Sequence, residues 1–219
     1  MSRKNINIDR NITSDARQLS RSQFRRLGFF PLAFFTAQAM HYVQINELGH
    51  MLWMCNIGNL LLALGLFFEQ RILIRVAVIW MVPGVAVWFA YVVPTWGMLL
   101  TGRFSNTELF GVISSTLAHL GGFAVGIRVL RKVGMDGRAW LYAFVWYFAV
   151  QLVSRLVSPA AMNVNLSQRI QPGWEQAFGS YWRFWLALTI VVGVWLWILG
   201  LLFKRLWPAS RTLIEAGAP

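Results

Sequence analysis

Apolar residues form six long stretches of the chain, and short polar segments separate them. Gln38, His41 and Gln44 interrupt the first stretch, whereas the other five are more continuous. Most stretches contain the roughly 20 residues that an α-helix needs to cross a bilayer. The pattern predicts an all-α, multi-pass transmembrane helical bundle of six helices. The stretches cover approximately residues 27–45, 48–68, 72–93, 109–130, 139–157 and 181–203.

Polar termini flank this apolar region and divide the chain into three parts. Residues 1–26 hold seven Lys or Arg against two Asp, which predicts a basic cytoplasmic tail. Residues 27–205 form the predicted six-helix transmembrane domain. Residues 206–219 form a second predicted cytoplasmic tail, because an even number of spans returns the chain to the side on which it started.

The first apolar stretch has an alternative interpretation as an export signal. Arg25 and Arg26 precede it, and it ends in the segment Ala37-Gln38-Ala39, which resembles a signal-peptide cleavage site. A twin-arginine signal has similar features. The long polar segment before the stretch favours a spanning helix, and processing within residues 1–39 stays open as the alternative.

Composition supports a membrane protein over a soluble one. Apolar residues make up 57% of the chain and charged residues only 13%, against about 25% charged residues in soluble domains. The 12 Trp residues suit the membrane–water interface. In this setting the net charge of +12 indicates cytoplasmic loops and anionic lipids rather than nucleic acid. The expected partners are phospholipids and other membrane-protein subunits, with no nucleic acid.

The distribution of Lys and Arg predicts the orientation of the chain. With the N-terminus inside, 16 of the 20 basic residues fall in inside segments and four in outside segments. Cytoplasmic loops carry an excess of Lys and Arg in membrane proteins. We therefore expect both termini to be cytoplasmic.

Polar side chains within the apolar stretches collect in their outer halves. Cys55 and Asn59 are four residues apart on one helical face, and Asn56 lies close to that face. His119 lies at a similar depth on the fourth helix, and a stripe of small residues surrounds it. Small residues let another helix approach closely, so we expect His119 to face a neighbouring helix. The stripe consists of Gly111, Ser115, His119, Gly122 and Gly126.

The fifth helix adds two polar residues at its outer end. Gln151 and Arg155 are four residues apart on one face. Pro159 then ends the helix, and Asn163 and Asn165 follow, either as turn residues or as the lining of a pocket entrance. Arg155 has two interpretations: it binds a phospholipid phosphate, or it extends to the interface. Together these residues predict a polar pocket open to the outer side.

Cys55 and His119 suggest a catalytic hypothesis. A nearby His that takes the thiol proton makes Cys a strong nucleophile, and Asn59 would orient the imidazole or stabilise an oxyanion. At this depth the reaction would be acyl transfer or hydrolysis of a lipid ester. The alternative is a non-catalytic subunit or lipid-binding scaffold. In that case Cys55 is a small buried apolar residue, and His119 ties helices together.

Metal and proton-transport chemistry have little support in the sequence. The ligand types for zinc or copper are present, but they lack the spacing of metal motifs, so no metal or other cofactor is predicted. The acidic residues near the spans lie at helix ends, whereas proton relays usually place a carboxylate within a span. The ligand types are Cys55, His41, His50 and His119, and the acidic residues are Glu47, Glu69 and Glu108.

The second apolar stretch carries a family resemblance. The segment from His50 to Asn59, HMLWMCNIGN, resembles the second-helix motif of YwaF-like bacterial membrane proteins, whose eukaryotic relatives are proposed to be cysteine acyltransferases acting on phospholipids. That family pairs this Cys with a His on a later helix, and an Asn-containing segment follows. Cys55, His119 and the segment Asn163-Val164-Asn165 occur here in that order. The whole chain also resembles a group of uncharacterised bacterial membrane proteins, which implies a bacterial inner membrane.

Overall fold

A computed structural model describes residues 21–99, 102 and 104–209, and this part of the chain is almost entirely helical. The rest of the two predicted tails, residues 1–20 and 210–219, lies outside the described residues, as does Arg103. Short 3₁₀ turns cover Leu48–Leu52 and Val164–Leu166, and a single helical turn covers Glu175–Phe178. The long helices are α1 (Arg21–Gln44), α2 (Met54–Phe67), α3 (Arg71–Leu99), α4 (Asn106–Val133), α5 (Ala139–Val157) and α6 (Tyr181–Leu206).

Four of the described helices are long and apolar enough to cross a membrane. They are α3 over the segment Arg71–Ala90, and the whole of α4, α5 and α6. Helix α2 is apolar but has only 14 residues. Helix α1 has 24 residues, but polar side chains interrupt its apolar surface. By these four helices the chain is a membrane-embedded helical protein.

Several helix boundaries differ from the sequence prediction by up to six residues, and those at the starts of α1 and α2 change the predicted tail and site. Helix α1 begins at Arg21, so residues 21–26 of the predicted tail are helical. Helix α2 begins at Met54 rather than near residue 48, because Trp53 has an extended ψ of 139° that separates it from the preceding 3₁₀ turn. Cys55 consequently lies in the first turn of α2, and not two turns inside a longer helix.

Helix α3 lies at the centre of the bundle. It packs against α2, α4 and α5, and its segment 76–81 is buried on all sides. Because a central helix has neighbours all round, this segment is apolar at every position, and the sequence shows no polar face. The Trp80 indole N–H donates a hydrogen bond to the carbonyl of Ala143 on α5, at 2.9 Å.

Glycines of α4 allow the close helix contacts that the small-residue stripe predicted. Any side chain at Gly122 would collide with the Asn59 amide of α2, and one at Gly111 would collide with the His41 ring of α1. At Gly126 a Cβ atom would lie 2.9 Å from a methyl of Val78. The close approach is as predicted, but these glycines face three neighbouring helices and not one.

The two ends of the bundle differ in charge. At one end, which we call the basic end, α1, α3 and α5 begin and the other three helices end. Of the 14 Lys and Arg at described positions, 11 lie there. The Arg75 guanidinium donates to the carbonyl of Gly134 at 2.8 Å, and Met135 N–H donates to the carbonyl of Trp207 at 2.7 Å. The opposite end, the loop end, holds Arg155, Arg169 and Arg183 and the segment between α5 and α6.

Candidate functional site

Asn165 joins three parts of the loop end. Its amide nitrogen donates to the carbonyl of Leu52 at 2.7 Å and to Ser154 Oγ at 3.1 Å, and its amide oxygen accepts from Met54 N–H at 3.3 Å. Met54 begins α2, so the side chain satisfies one of the N–H groups that a helix start leaves free. The buried Asn165 thereby ties the α5–α6 segment to the first turn of α2 and to α5.

Gln151 of α5 uses both ends of its amide. The nitrogen donates to the Tyr147 hydroxyl and to the carbonyl of Asn165, both at 2.8 Å. The oxygen accepts from the Trp185 indole N–H of α6 at 3.1 Å. Gln151 is only 4% exposed, and a buried amide is costly unless it is hydrogen-bonded. Gln151 is therefore a link between α5, α6 and the connecting segment.

Asn163 organises the same segment from within. Its amide oxygen accepts from the backbone N–H groups of Gln168 and Arg169 at 3.0 and 2.9 Å, and its nitrogen donates to the carbonyl of Arg169 at 3.1 Å. Asn163, Asn165 and Leu166 all have positive φ, between 43° and 57°. Asn tolerates this left-handed conformation better than most residues. The two Asn residues are thus turn residues, as one interpretation of the sequence proposed, and Asn165 also makes tertiary hydrogen bonds to Leu52, Met54 and Ser154.

His119 lies in a local irregularity of α4. The helix widens to a π-helix over Leu117–Gly121, a feature that is frequent at functional sites. The imidazole Nδ1 is 2.8 Å from the carbonyl of Ser115, and the ring stacks on Trp88 of α3 with centroids 5.2 Å apart. The Trp88 indole in turn donates to Ser115 Oγ at 2.9 Å. His119 therefore faces a neighbouring helix, as expected.

This arrangement fixes the tautomer of His119. A carbonyl only accepts, so Nδ1 carries a proton, and in the neutral ring Nε2 is the basic nitrogen. Nε2 has no hydrogen-bond partner in the described part of the chain, and it is not fully enclosed.

Cys55, Asn56 and Asn59 lie in the first two turns of α2. The Asn59 amide nitrogen donates to the carbonyls of Cys55, at 3.0 Å, and Ala118, at 2.8 Å. The Asn56 amide nitrogen donates to the carbonyl of His50 at 3.0 Å. The amide oxygens of both Asn residues are buried without a partner among the described residues. Asn59 therefore ties α2 to the π-helical segment that carries His119.

Cys55 and His119 lie near each other but are not hydrogen-bonded. Cys55 is half-buried, and its Cβ packs against Gly84 of α3, one turn before the Trp88 that stacks on His119. No hydrogen bond joins the Cys55 sulfur to His119 in the described part of the chain. Asn59 bonds to backbone carbonyls instead of to the imidazole. Nor do three His, Cys, Asp or Glu side chains come together as metal ligands anywhere within residues 21–99 and 104–209.

Arg155 belongs to a groove between α5 and α6, away from Cys55. Its guanidinium stacks on the rings of Tyr181 and Trp182, 4.9 and 5.2 Å from their centroids, and one N–H donates to the carbonyl of Ser167 at 2.7 Å. The groove has a volume of about 470 Å³. It is lined by Phe148, Ala149, Gln151, Leu152, Arg155, Tyr181, Trp182 and Trp185. The predicted polar pocket is thus divided: Gln151 and Arg155 line this groove, and Cys55, Asn59 and His119 do not.

Aromatic residues contribute to the site more than the sequence indicated. Trp88 and Trp185 each bond a predicted site residue, and Tyr147 and Tyr181 complete the network around Gln151 and Arg155. Tyr147 was detectable, because it precedes Gln151 by one helical turn. The two Trp residues lie on other helices, and one sequence does not show which helices are neighbours.

Comparisons with protein-family models, with curated proteins and with solved structures find no match. The function is therefore proposed from the residues and their geometry.

Proposed function

We propose that this chain is a non-catalytic, lipid-binding scaffold of a membrane protein complex. It would have six membrane-spanning helices and hold a phospholipid at the loop end. Arg155 carries the proposal. It is an exposed cation in an aromatic-lined groove, and no carboxylate pairs with it in the described part of the chain. Most of the polar side chains near Arg155 make hydrogen bonds between helices or to the connecting segment. Part of the Arg155 guanidinium, in contrast, can donate hydrogen bonds to a ligand.

Helix lengths support six spans. At about 1.5 Å per residue, α1 is roughly 36 Å long and α2 roughly 21 Å. The 3₁₀ turn Leu48–Leu52 adds about 10 Å to α2 at 2.0 Å per residue. The length of α1 therefore matches the roughly 30 Å of a hydrocarbon layer, and α2 needs the preceding turn to approach it. The excess of Lys and Arg at the basic end supports the proposal that this end, with both termini, is cytoplasmic.

A phosphate group fits the free donors of Arg155. Guanidinium binds phosphate with two parallel hydrogen bonds, and one N–H on Ser167 leaves others free. The stacking on Tyr181 and Trp182 holds the guanidinium plane in place, which reduces the entropy lost on binding. Below it, Leu152 and Phe148 provide an apolar wall for an acyl chain. The loop end would hold this lipid in the outer leaflet.

Native mass spectrometry of the purified full chain, titrated with phosphatidylglycerol, tests this proposal. We expect Arg155→Ala to weaken one binding event at least about tenfold, since a charge-assisted hydrogen bond contributes about 1.5–3 kcal/mol. Arg155→Lys should restore part of the affinity, because Lys keeps the charge without the planar donor pair. Arg183→Ala is the matched control, because it removes an exposed Arg at the same end without touching the groove. Equal affinities for wild type and Arg155→Ala would contradict the proposal.

The Cys55–His119 acyl-transfer hypothesis is the second candidate, and the state of His119 favours it. Nε2 has no hydrogen-bond partner among the described residues, and His119 lies on a π-helical segment. The Cys55 sulfur would have to move within hydrogen-bonding reach of His119 Nε2, and catalytic hydrogen bonds often form fully only when substrate binds. The resemblance to YwaF-like proteins implies the same pair.

Labelling with a lipid-like thiol electrophile separates the two candidates. If Cys55 is activated, wild type labels, and both Cys55→Ala and His119→Ala lose the label while they stay folded. If His119→Ala labels as fast as wild type, His119 does not act as the base, and the acyl-transfer candidate fails.

A further inference from the structure

A second groove lies at the basic end, between α3 and α5. It has a volume of about 420 Å³, and its walls are Ile72 and Leu73 on one side and Tyr142 and Trp146 on the other. Asp136 and Arg138, from the segment between α4 and α5, line the same groove. The proposed outer phospholipid site uses none of these residues. A carboxylate and a guanidinium therefore lie together in a groove whose walls are apolar and aromatic side chains.

The groove residues of α5 are arranged in the order that a bound phospholipid would require. The charged residue lies at the end of the helix, where a headgroup would be, and the aromatic residues lie deeper, beside the acyl chain. Arg138 caps the start of α5, and Tyr142 and Trp146 follow on the same side of the helix, about 6 and 12 Å deeper at 1.5 Å per residue. Tyr142 is 47% and Trp146 39% exposed. Aromatic residues at this depth are typical of the interface between headgroups and acyl chains.

The charges of the groove are only partly neutralised within the chain. Asp136 Oδ1 accepts the backbone N–H of Arg138 at 2.7 Å. Asp136 Oδ2 has a long ion pair, 3.8 Å from an Arg75 nitrogen, and the Asp136 side chain is 38% exposed. The exposed Arg138 guanidinium has no ion pair among the described residues. The Arg138 guanidinium is thus available to a ligand, and Asp136 Oδ2, which in the described part of the chain has only the long contact with Arg75, can accept a further hydrogen bond from the same ligand.

We infer that this groove binds a zwitterionic phospholipid whose headgroup has a phosphate and a primary ammonium. Arg138 takes the phosphate, and Asp136 Oδ2 accepts an N–H from the ammonium. Tyr142 and Trp146 flank the glycerol and the upper acyl chain. A lipid with phosphate alone gains nothing from Asp136 and is repelled by it. A trimethylated ammonium has no N–H to donate, so it loses the hydrogen bond.

Lipid competition on the full chain tests the inference. The Arg155→Ala variant is used throughout, so that binding at the outer groove is weakened and the two proposed sites are tested separately. Native mass spectrometry measures the affinities of phosphatidylethanolamine, phosphatidylcholine and phosphatidylglycerol. We expect phosphatidylethanolamine to bind about three- to tenfold more tightly than the other two, between the effects of an exposed ion pair and a buried charged hydrogen bond.

Substitutions assign this preference to the two residues. Asp136→Asn keeps the acceptor for Arg138 N–H and should abolish the preference for phosphatidylethanolamine. Arg138→Gln should weaken all three lipids by a similar factor. Arg128→Gln removes another exposed Arg at the basic end and should leave every affinity unchanged. Equal binding of phosphatidylethanolamine and phosphatidylcholine before substitution, or the same preference in Asp136→Asn, would overturn the inference.

Discussion

Asn165 shows how much a single buried amide contributes to the loop end. Its side chain makes three hydrogen bonds, and its backbone carbonyl accepts a fourth from Gln151. Its φ of 52° adds a requirement that few side chains meet. From the sequence, Asn165 was a turn residue or a pocket residue. Its partners Leu52 and Met54 are more than 100 positions away, so no local pattern predicts them.

We predict that Asn165→Ala destabilises the folded protein by roughly 2–4 kcal/mol. The loss combines unpaired buried groups with about 1 kcal/mol or more for Ala at positive φ. Asn165→Gly removes the same hydrogen bonds without the backbone penalty, so it should be the more stable of the two variants. Unfolding in detergent, followed by circular dichroism, measures both. If Asn165→Ala unfolds at the same midpoint as the wild type, the hydrogen bonds of the Asn165 side chain contribute little to stability.

For His119, the sequence predicts that the side chain faces a neighbouring helix but not which groups it contacts. Its depth and its position in a stripe of small residues were enough to predict that it faces another helix. The stacking on Trp88 and the bond to the Ser115 carbonyl were not predictable, because a π-helical segment changes the direction in which the side chain points. Side-chain directions follow from sequence spacing only in a regular helix of about 3.6 residues per turn, and Leu117–Gly121 departs from that geometry.

Among the elements, the apolar stretches predicted the helices well and their ends less well. Helix α5 has the predicted bounds, because a polar segment precedes it and Pro159 follows it. Helix α2 starts six residues late, since the apolar run continues through a 3₁₀ turn with the same composition. Hydropathy measures burial in lipid and not hydrogen-bond type, so it does not separate these two conformations.

Contacts between elements give a second prediction, at Gly122. A methyl group there collides with the Asn59 amide, which is fully buried and bonded to two carbonyls. We expect Gly122→Ala to destabilise the protein by about 1–3 kcal/mol, as overpacking usually does. Gly97→Ala is the matched control, because open space surrounds Gly97 in α3 and helical Ala is favoured over Gly. Thermal unfolding of both variants checks this, and equal midpoints would contradict the contact.

For the whole molecule, the two ends have different tasks in this account. The basic end holds most of the described cationic residues and the backbone hydrogen bond between Met135 and Trp207. The loop end holds the hydrogen bonds of the Asn and Gln side chains and the Arg155 groove. The charge asymmetry was visible in the sequence. The division of the predicted pocket into a packed interior and a lipid-facing groove was not, because it depends on which helices are neighbours.

Both proposed lipid sites require that the basic end and the loop end face opposite sides of a membrane. Single cysteines in a Cys55→Ala background test this with a membrane-impermeant thiol reagent on intact cells. The tested positions, all exposed in the structure, are Gln23 and Gln70 at the basic end and Gln44 and Gln171 at the loop end. We predict that Gln44→Cys and Gln171→Cys label in intact cells, and that Gln23→Cys and Gln70→Cys label only after permeabilisation. Labelling of Gln44→Cys and Gln70→Cys from the same side would show that α2 does not span, and would contradict the six-helix arrangement.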